Sequence, residues 1–137
     1  FFRIEKIEKI TEYHAPHCAT QHIVGEYRFY TALCGEEEGI AEVARGFAST
    51  TFTVESVDEV EDILDAANEF MNCNNGLFAT GLSERNVNLI VESPIMKQNH
   101  TILHGNEHMY RVPLFVEDHA IDLIVCFDDD SFSIEDE

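Results

Sequence analysis

Residues 56–82 read SVDEVEDILDAANEFMNCNNGLFATGL, and this stretch decides the fold. Val57, Val60, Leu64, Ala67, Met71, Phe78 and Leu82 recur at helical steps, flanked by Ile63, Phe70, Leu77 and Gly81. Such spacing predicts a long helix that lays a wide apolar face on a sheet. Ser56 followed by Glu59 is a capping-box start, and the helix is predicted to run to about Leu82. On the opposite side Asp58, Asp62, Asp65, Glu69, Asn72 and Gly76 follow one another at steps of four and three, a continuous outward stripe.

The stripe works against the helix that carries it. Asp58/Asp62 and Asp65/Glu69 are like-charge pairs one turn apart, each costing a few tenths of a kcal/mol. Asn is a weak helix former, and an interior Gly costs roughly 1 kcal/mol relative to Ala. Yet the apolar spacing resumes in phase at Leu77 and Phe78. Conflict between local propensity and global pattern is a mark of functional surfaces, and the competing reading is a plain solvated helix face whose weak residues are accidents. Its chemistry is limited. A flat row of carboxylates and an amide offers neither a converging metal cage nor a nucleophile. A carboxylate can hold a cation on a partner, and a carboxamide can both donate to and accept from one water. Orienting a water against an electrophile needs no more than that.

The flanking sequence supplies the sheet. Residues 21–34 read as strand, rich in β-branched and aromatic residues, with Gly25 marking a turn or bulge. Residues 36–47 read as a short helix with acids at its front. Residues 87–91 read as a strand ended by Ser93-Pro94. Residues 97–106 are polar and loop-like. Residues 108–116 and 120–127 form a predicted antiparallel hairpin, with Pro113 indicating an edge strand or a bulge. In residues 1–13 the three-residue recurrence of Ile4, Ile7 and Ile10 favours an amphipathic helix over a strand, and Pro16 breaks it. The fold class is α/β (α+β). Residues 1–137 are read as one domain, a mostly antiparallel sheet packed by the long helix, with 129–137 a solvated acidic tail.

Composition narrows the function. The 137 residues carry a formal net charge of −19, which excludes nucleic acid and anionic membrane surfaces as partners. No apolar run reaches membrane-span length and no signal-peptide pattern is visible. Cys18, Cys34, Cys73 and Cys126 show no paired spacing, as expected of free thiols in the reducing cytoplasm. Cys73 is predicted to point at the core flank. His14, His17, Cys18 and His22 are dense enough to hold zinc, but Pro16 interrupts them and the competing reading is a polar loop. No nucleophile elbow or glycine-rich phosphate loop is present.

The segment Asp65-x-x-x-Glu69-x-x-Asn72, followed by Gly76 and then Pro94, resembles the signature of the CheC/CheX chemotaxis phosphatases. That signature is an Asp or Ser, three residues, Glu, two residues, Asn, and a proline further downstream. The predicted elements from Gln21 onward also fall where CheX-like chains carry theirs, whereas residues 1–20 are not clearly matched. One copy of the motif places the chain nearer CheX than CheC, which typically carries it twice.

The resemblance implies a cytoplasmic phosphatase of phosphorylated CheY-like response regulators, whose aspartyl-phosphate lies beside a bound Mg²⁺. Glu69 would pair with a lysine of the regulator. Asn72 would orient the attacking water, as a glutamine does in GTPases. Gly76 would leave room for close approach, and Asp65 would flank the contact. Asn74 and Asn75 stand where the family more often has small residues, which either adds contacts or changes the surface, and Asn75 is a candidate partner-binding or supporting residue. The metal would be the partner's, so no cofactor of the chain's own is expected. CheX-like chains also dimerise through sheet edges, and the hairpin at 108–127 offers candidate edges for a homodimer. The alternative is a non-catalytic module that recognises a regulator, or dimerises, without hydrolysis.

Overall fold

The computed structural model describes residues 3–51, 60–97, 100–116, 118–127 and 130–136. Its strands are β1 (Arg3–Ile4), β2 (Glu8–Ala15), β3 (His17–Gly25) and β4 (Phe29–Gly35), followed by helices α1 (Glu37–Thr51) and α2 (Val60–Ser83). Five strands complete the chain: β5 (Leu89–Val91), β6 (Ile95–Lys97), β7 (Thr101–Val116), β8 (His119–Cys126) and β9 (Ser133–Asp136). All form one sheet in which the described ladders are antiparallel, ordered β1-β7-β8-β4-β3-β5, with β2 and β9 on β7 and β6 on β3. The α+β class read from the sequence is therefore the observed one. No helix among the described residues is long and apolar enough to cross a membrane.

Strand alternation sends Ala19, Leu33, Leu114 and Ile121 to one face, where Val43 of α1 and Met71 of α2 bury against them. Cys18, Ala32, Cys34 and Ile124 point the other way into a second core. That core closes because the sheet curls. Only Pro16 separates β2 from β3, although these strands lie towards opposite ends of the strand order. Cys18 Sγ of β3 lies 3.4 Å from Thr101 Oγ1 of β7, although two strands, β8 and β4, separate them in the ladder. The curl is made in β7: between Ile10↔Met109 and Glu12↔His104 the register shifts, and the extra residues around Gly105 bulge out.

Several sequence expectations are corrected here. The described residues of the segment 1–13 form β1 and most of β2 rather than a helix. β2 finds a non-local partner in β7, tied by Arg111 Nη1 to Glu8 at 2.9 Å, and its Tyr13 hydroxyl reaches further to donate to Asp122 of β8. The polar stretch 97–106 is mostly strand as well, since Thr101–His104 pairs with β2 on one side and β9 on the other. The acidic tail is not simply solvated: β9 docks on β7, with Ile134 packed on the second core and His104 Nε2 3.2 Å from Glu135. The β7–β8 hairpin forms as expected but lies inside the sheet, with β4 on one side and β1 and β2 on the other, so among the described residues it offers no free edge. Pro113 is tolerated there because its missing N–H falls on the β1 side, where that short strand has ended and Glu5 N–H donates to the Pro113 carbonyl.

Gly25 makes a turn rather than a bulge. Its φ of 124° is open to glycine, and a Cβ would sit 2.5 Å from the Asn88 carbonyl. α2 begins within the predicted span, while the Ser56 cap lies outside the described residues. It ends in a Schellman motif: Asn86 takes φ 65°, its N–H donates to Ser83 and the Val87 N–H donates to Leu82.

Two outcomes follow. A Cβ at Gly105 would stand 2.9 Å from Met109 Cβ and 3.1 Å from Cys126 Sγ. Gly105→Ala should therefore cost about 1–3 kcal/mol in urea denaturation. Burial, reinforced by the bond to Asp122, pushes the Tyr13 hydroxyl above the ordinary value of 10.0. The folded state thus holds this proton more tightly than the unfolded state does. That stability is complete below pH 10 and declines as pH climbs beyond it. Tyr13→Phe should flatten the alkaline limb of a Tm-against-pH curve.

Candidate functional site

β3 and β4 place Gln21 directly opposite Thr31, both at helix-facing positions of their strands. Above them the buried row of α2, Ala67 then Met71, continues one turn later to Asn75. This rung of the apolar ladder is therefore an amide. Gln21 is 1% exposed and Asn75 5%, so each polar atom needs a partner. Asn75 Nδ2 donates to Gln21 Oε1 at 2.6 Å and to Thr31 Oγ1 at 3.0 Å. Gln21 Nε2 donates to the Glu92 backbone carbonyl at 2.7 Å and to Asn72 Oδ1 at 3.0 Å.

One backbone group sets the direction of the whole chain. A carbonyl can only accept, so the Gln21 atom facing Glu92 must be the nitrogen. That same nitrogen faces Asn72, so the Asn72 atom it meets must be the oxygen. The two N–H groups of Asn72 consequently point away from the tether. The Glu92 carbonyl is free for this because of a bulge. Ile23 pairs with Val91 but Thr20 pairs with Ile95, so Gln21 and His22 face three residues, Glu92, Ser93 and Pro94. Pro94, with no N–H to give, sits where the ladder is already interrupted.

The structure brings Asp65, Glu69 and Asn72 together on the solvent face of α2, as the helical spacing requires. Gly76 continues the line, and a Cβ there would meet nothing within 4 Å. No internal packing needs that glycine, although it weakens the helix. Asn75 is corrected: it is buried beneath the stripe and supports Asn72 through Gln21 instead of reaching a partner. Cys73 is corrected too, being exposed. So are Leu77 and Phe78, 75% and 49% exposed where the flank and the central row of the sheet-facing side were expected. Past Asn75 the helix overhangs an open apolar groove of about 620 Å³, lined in part by Phe29, Leu89, Val125 and Phe127.

The histidine-rich segment does not converge. Cys18 is buried in the second core, His22 stacks on Tyr30 at 4.2 Å and lies 3.0 Å from Glu92, and His14 lies 3.4 Å from Glu12. Among the described residues no group of three His, Cys, Asp or Glu could hold a metal ion.

Reasoning from sequence missed Gln21, Thr31 and Glu92. A signal existed for the first two. Gln21 interrupts the inward series Ala19–Ile23, and Thr31 interrupts Phe29–Leu33. Nothing in the sequence marks the Glu92 carbonyl, since its part is played by backbone.

The family model for chemotaxis phosphatase CheX matches residues 17–115. No curated protein sequence matches the chain. Among solved structures, a CheC-like superfamily protein from Shewanella sp. PV-4 aligns with a TM-score of 0.70 at 20% identity, covering 96% of this chain and 84% of that one. Chemotaxis protein CheX from Vibrio vulnificus aligns at 0.68 and 17% identity, over 96% and 85%. The CheX–CheY–BeF3–Mg²⁺ complex from Borrelia burgdorferi aligns at 0.54 and 14% identity, over 94% and 86%. At these identities the structural likenesses speak for the fold. The family match spans well over half of the residues, and on that ground this chain belongs to the chemotaxis phosphatase CheX family.

Proposed function

We propose that this chain hydrolyses the aspartyl-phosphate of a CheY-like response regulator, with Asn72 placing the water and Glu69 gripping the partner. The observation that carries the reading is the Asn72 carboxamide, exposed on α2 yet tied from behind by Gln21 at 3.0 Å. Family membership supports the reaction class. The Borrelia burgdorferi complex, in which a CheX is bound to CheY, supports the kind of partner.

In this mechanism the Asp65–Gly76 face of α2 lies over the regulator's active site. Glu69, one helical turn before Asn72, accepts from a lysine there. Asn72 enters beside the phosphoryl group. Its Oδ1 has spent one lone pair on Gln21 and keeps the other, while its Nδ2 keeps two donors. One water can therefore accept from Nδ2 and donate to Oδ1, leaving a lone pair aimed at phosphorus. That lone pair forms the new P–O bond as the bond to the aspartyl oxygen breaks. The aspartate leaves as carboxylate, and the water's proton ends on inorganic phosphate. Catalysis of this kind is positioning plus charge neutralisation. The neutralising Mg²⁺ would be the regulator's own, and this chain contributes no metal. Asp65 flanks the contact, and Gly76 lets the partner's backbone come close.

The test uses a CheY-like regulator charged with acetyl phosphate and Mg²⁺, following phosphoryl loss. Asn72→Ala should lower kcat about 100-fold with little change in KM. Glu69→Ala should chiefly raise KM. A folded Asn72→Ala variant with wild-type kcat would sink the mechanism. Tight binding with no phosphate loss would favour the non-catalytic recognition module.

A further inference from the structure

We infer that Gln21 is a positioning residue for Asn72, holding its carboxamide in one orientation before any partner arrives; this rests on the phosphatase reading of the same site. An exposed asparagine on a helix ordinarily samples several rotamers and both faces of its amide. Here one of its atoms is claimed. Gln21 Nε2 meets Asn72 Oδ1 at 3.0 Å and cannot turn, because its other hydrogen is on the Glu92 carbonyl at 2.7 Å. Its Oε1 is held in turn by Asn75 at 2.6 Å, and Asn75 is braced on Thr31 at 3.0 Å. Asn75 of α2, braced on Thr31 of β4, and the Glu92 carbonyl of the bulge thus fix Gln21 of β3, which alone among these four touches the exposed amide.

A purely structural role explains this arrangement poorly. Amides at the inward positions of β3 and α2 are costly unless fully satisfied, and apolar side chains would fill the same space without that cost. What apolar side chains could not supply is the directed N–H to Asn72. Pro94 of the sequence motif gains a role by the same route: it belongs to the bulge that turns the Glu92 carbonyl onto Gln21.

Gln21→Met keeps the length and apolar stem of the side chain while deleting every polar contact. It should lower kcat for the phosphorylated regulator about 10-fold and leave KM within about twofold, since Glu69 still grips the partner. A second measurement needs no change at Gln21. In ¹⁵N-labelled wild-type protein, the Asn72 side-chain amide is assigned by its disappearance in Asn72→Ala. It should be as rigid as the backbone by heteronuclear NOE while exchanging rapidly with water, because its N–H groups point outward. An Asn72 amide as mobile as that of the exposed Asn106 would overturn the inference, whether or not Gln21→Met folds. A wild-type protein without phosphatase activity overturns the reading of the site and this inference with it. Activity that needs Asn72 but is indifferent to a folded Gln21→Met overturns this inference alone.

Discussion

A carboxamide with 1% of its surface exposed must satisfy two N–H groups and an oxygen at once, and Gln21 does so only where β3, α2 and the bulge at Glu92 meet. Each unmade bond there would cost about 1–3 kcal/mol, because the stranded group has already lost its water. This constraint couples elements that nothing else obliges to keep an exact register. α2 cannot slide along the sheet without pulling Asn75 off Gln21 and Thr31. The β5–β6 edge cannot straighten without withdrawing the Glu92 carbonyl. The exposed end of the chain of bonds, Asn72, inherits its orientation from buried groups that a partner never touches.

The same helix shows how much adverse local chemistry tertiary packing can carry. Its outer face keeps a like-charge pair at Asp65 and Glu69, the exposed Asn72 and Asn74, and Gly76, together worth about 1–3 kcal/mol against helix formation. Its inner face buries Ala67 and Met71 completely, and a buried methionine alone contributes about 1.5–3 kcal/mol. The helix therefore persists through a stretch that would fray in isolation. A Cβ at Gly76 would meet nothing within 4 Å, so no packing inside the molecule calls for this glycine, which suits a face left open for close approach. A flat acidic and amidic surface suits water placement on a partner that brings its own cation and electrophile. It would suit little else.

The curled sheet explains why the site is stiff. α1 and α2 cover one face, and the far end of the sheet closes over the other, bringing Cys18 to Thr101 across two intervening strands. β3 and β4, which hold Gln21 and Thr31, thus lie between two packed cores. Side chains on such strands have little freedom to relax. The apolar groove beyond Asn75 is the exception, where the sheet under the helix ends and Leu77 stands in solvent.

Local sequence pattern determined that one long amphipathic helix follows Ser56 and runs to about Leu82, that Asp65, Glu69 and Asn72 share its outer face, and that strands with a closing hairpin lie beneath it. These are consequences of a 3.6-residue period and of β-branched composition, both local properties. The strand character of residues 8–15 and 101–104 was not legible, because a polar stretch becomes a strand only when distant neighbours complete its backbone hydrogen bonds. The fates of Asn72 and Asn75 were not legible either. Two identical side chains three residues apart point about 60° from one another, and only the packed sheet decides that one is buried and the other exposed. Gln21, fifty-one residues earlier in the chain than Asn72, joins them by folding alone.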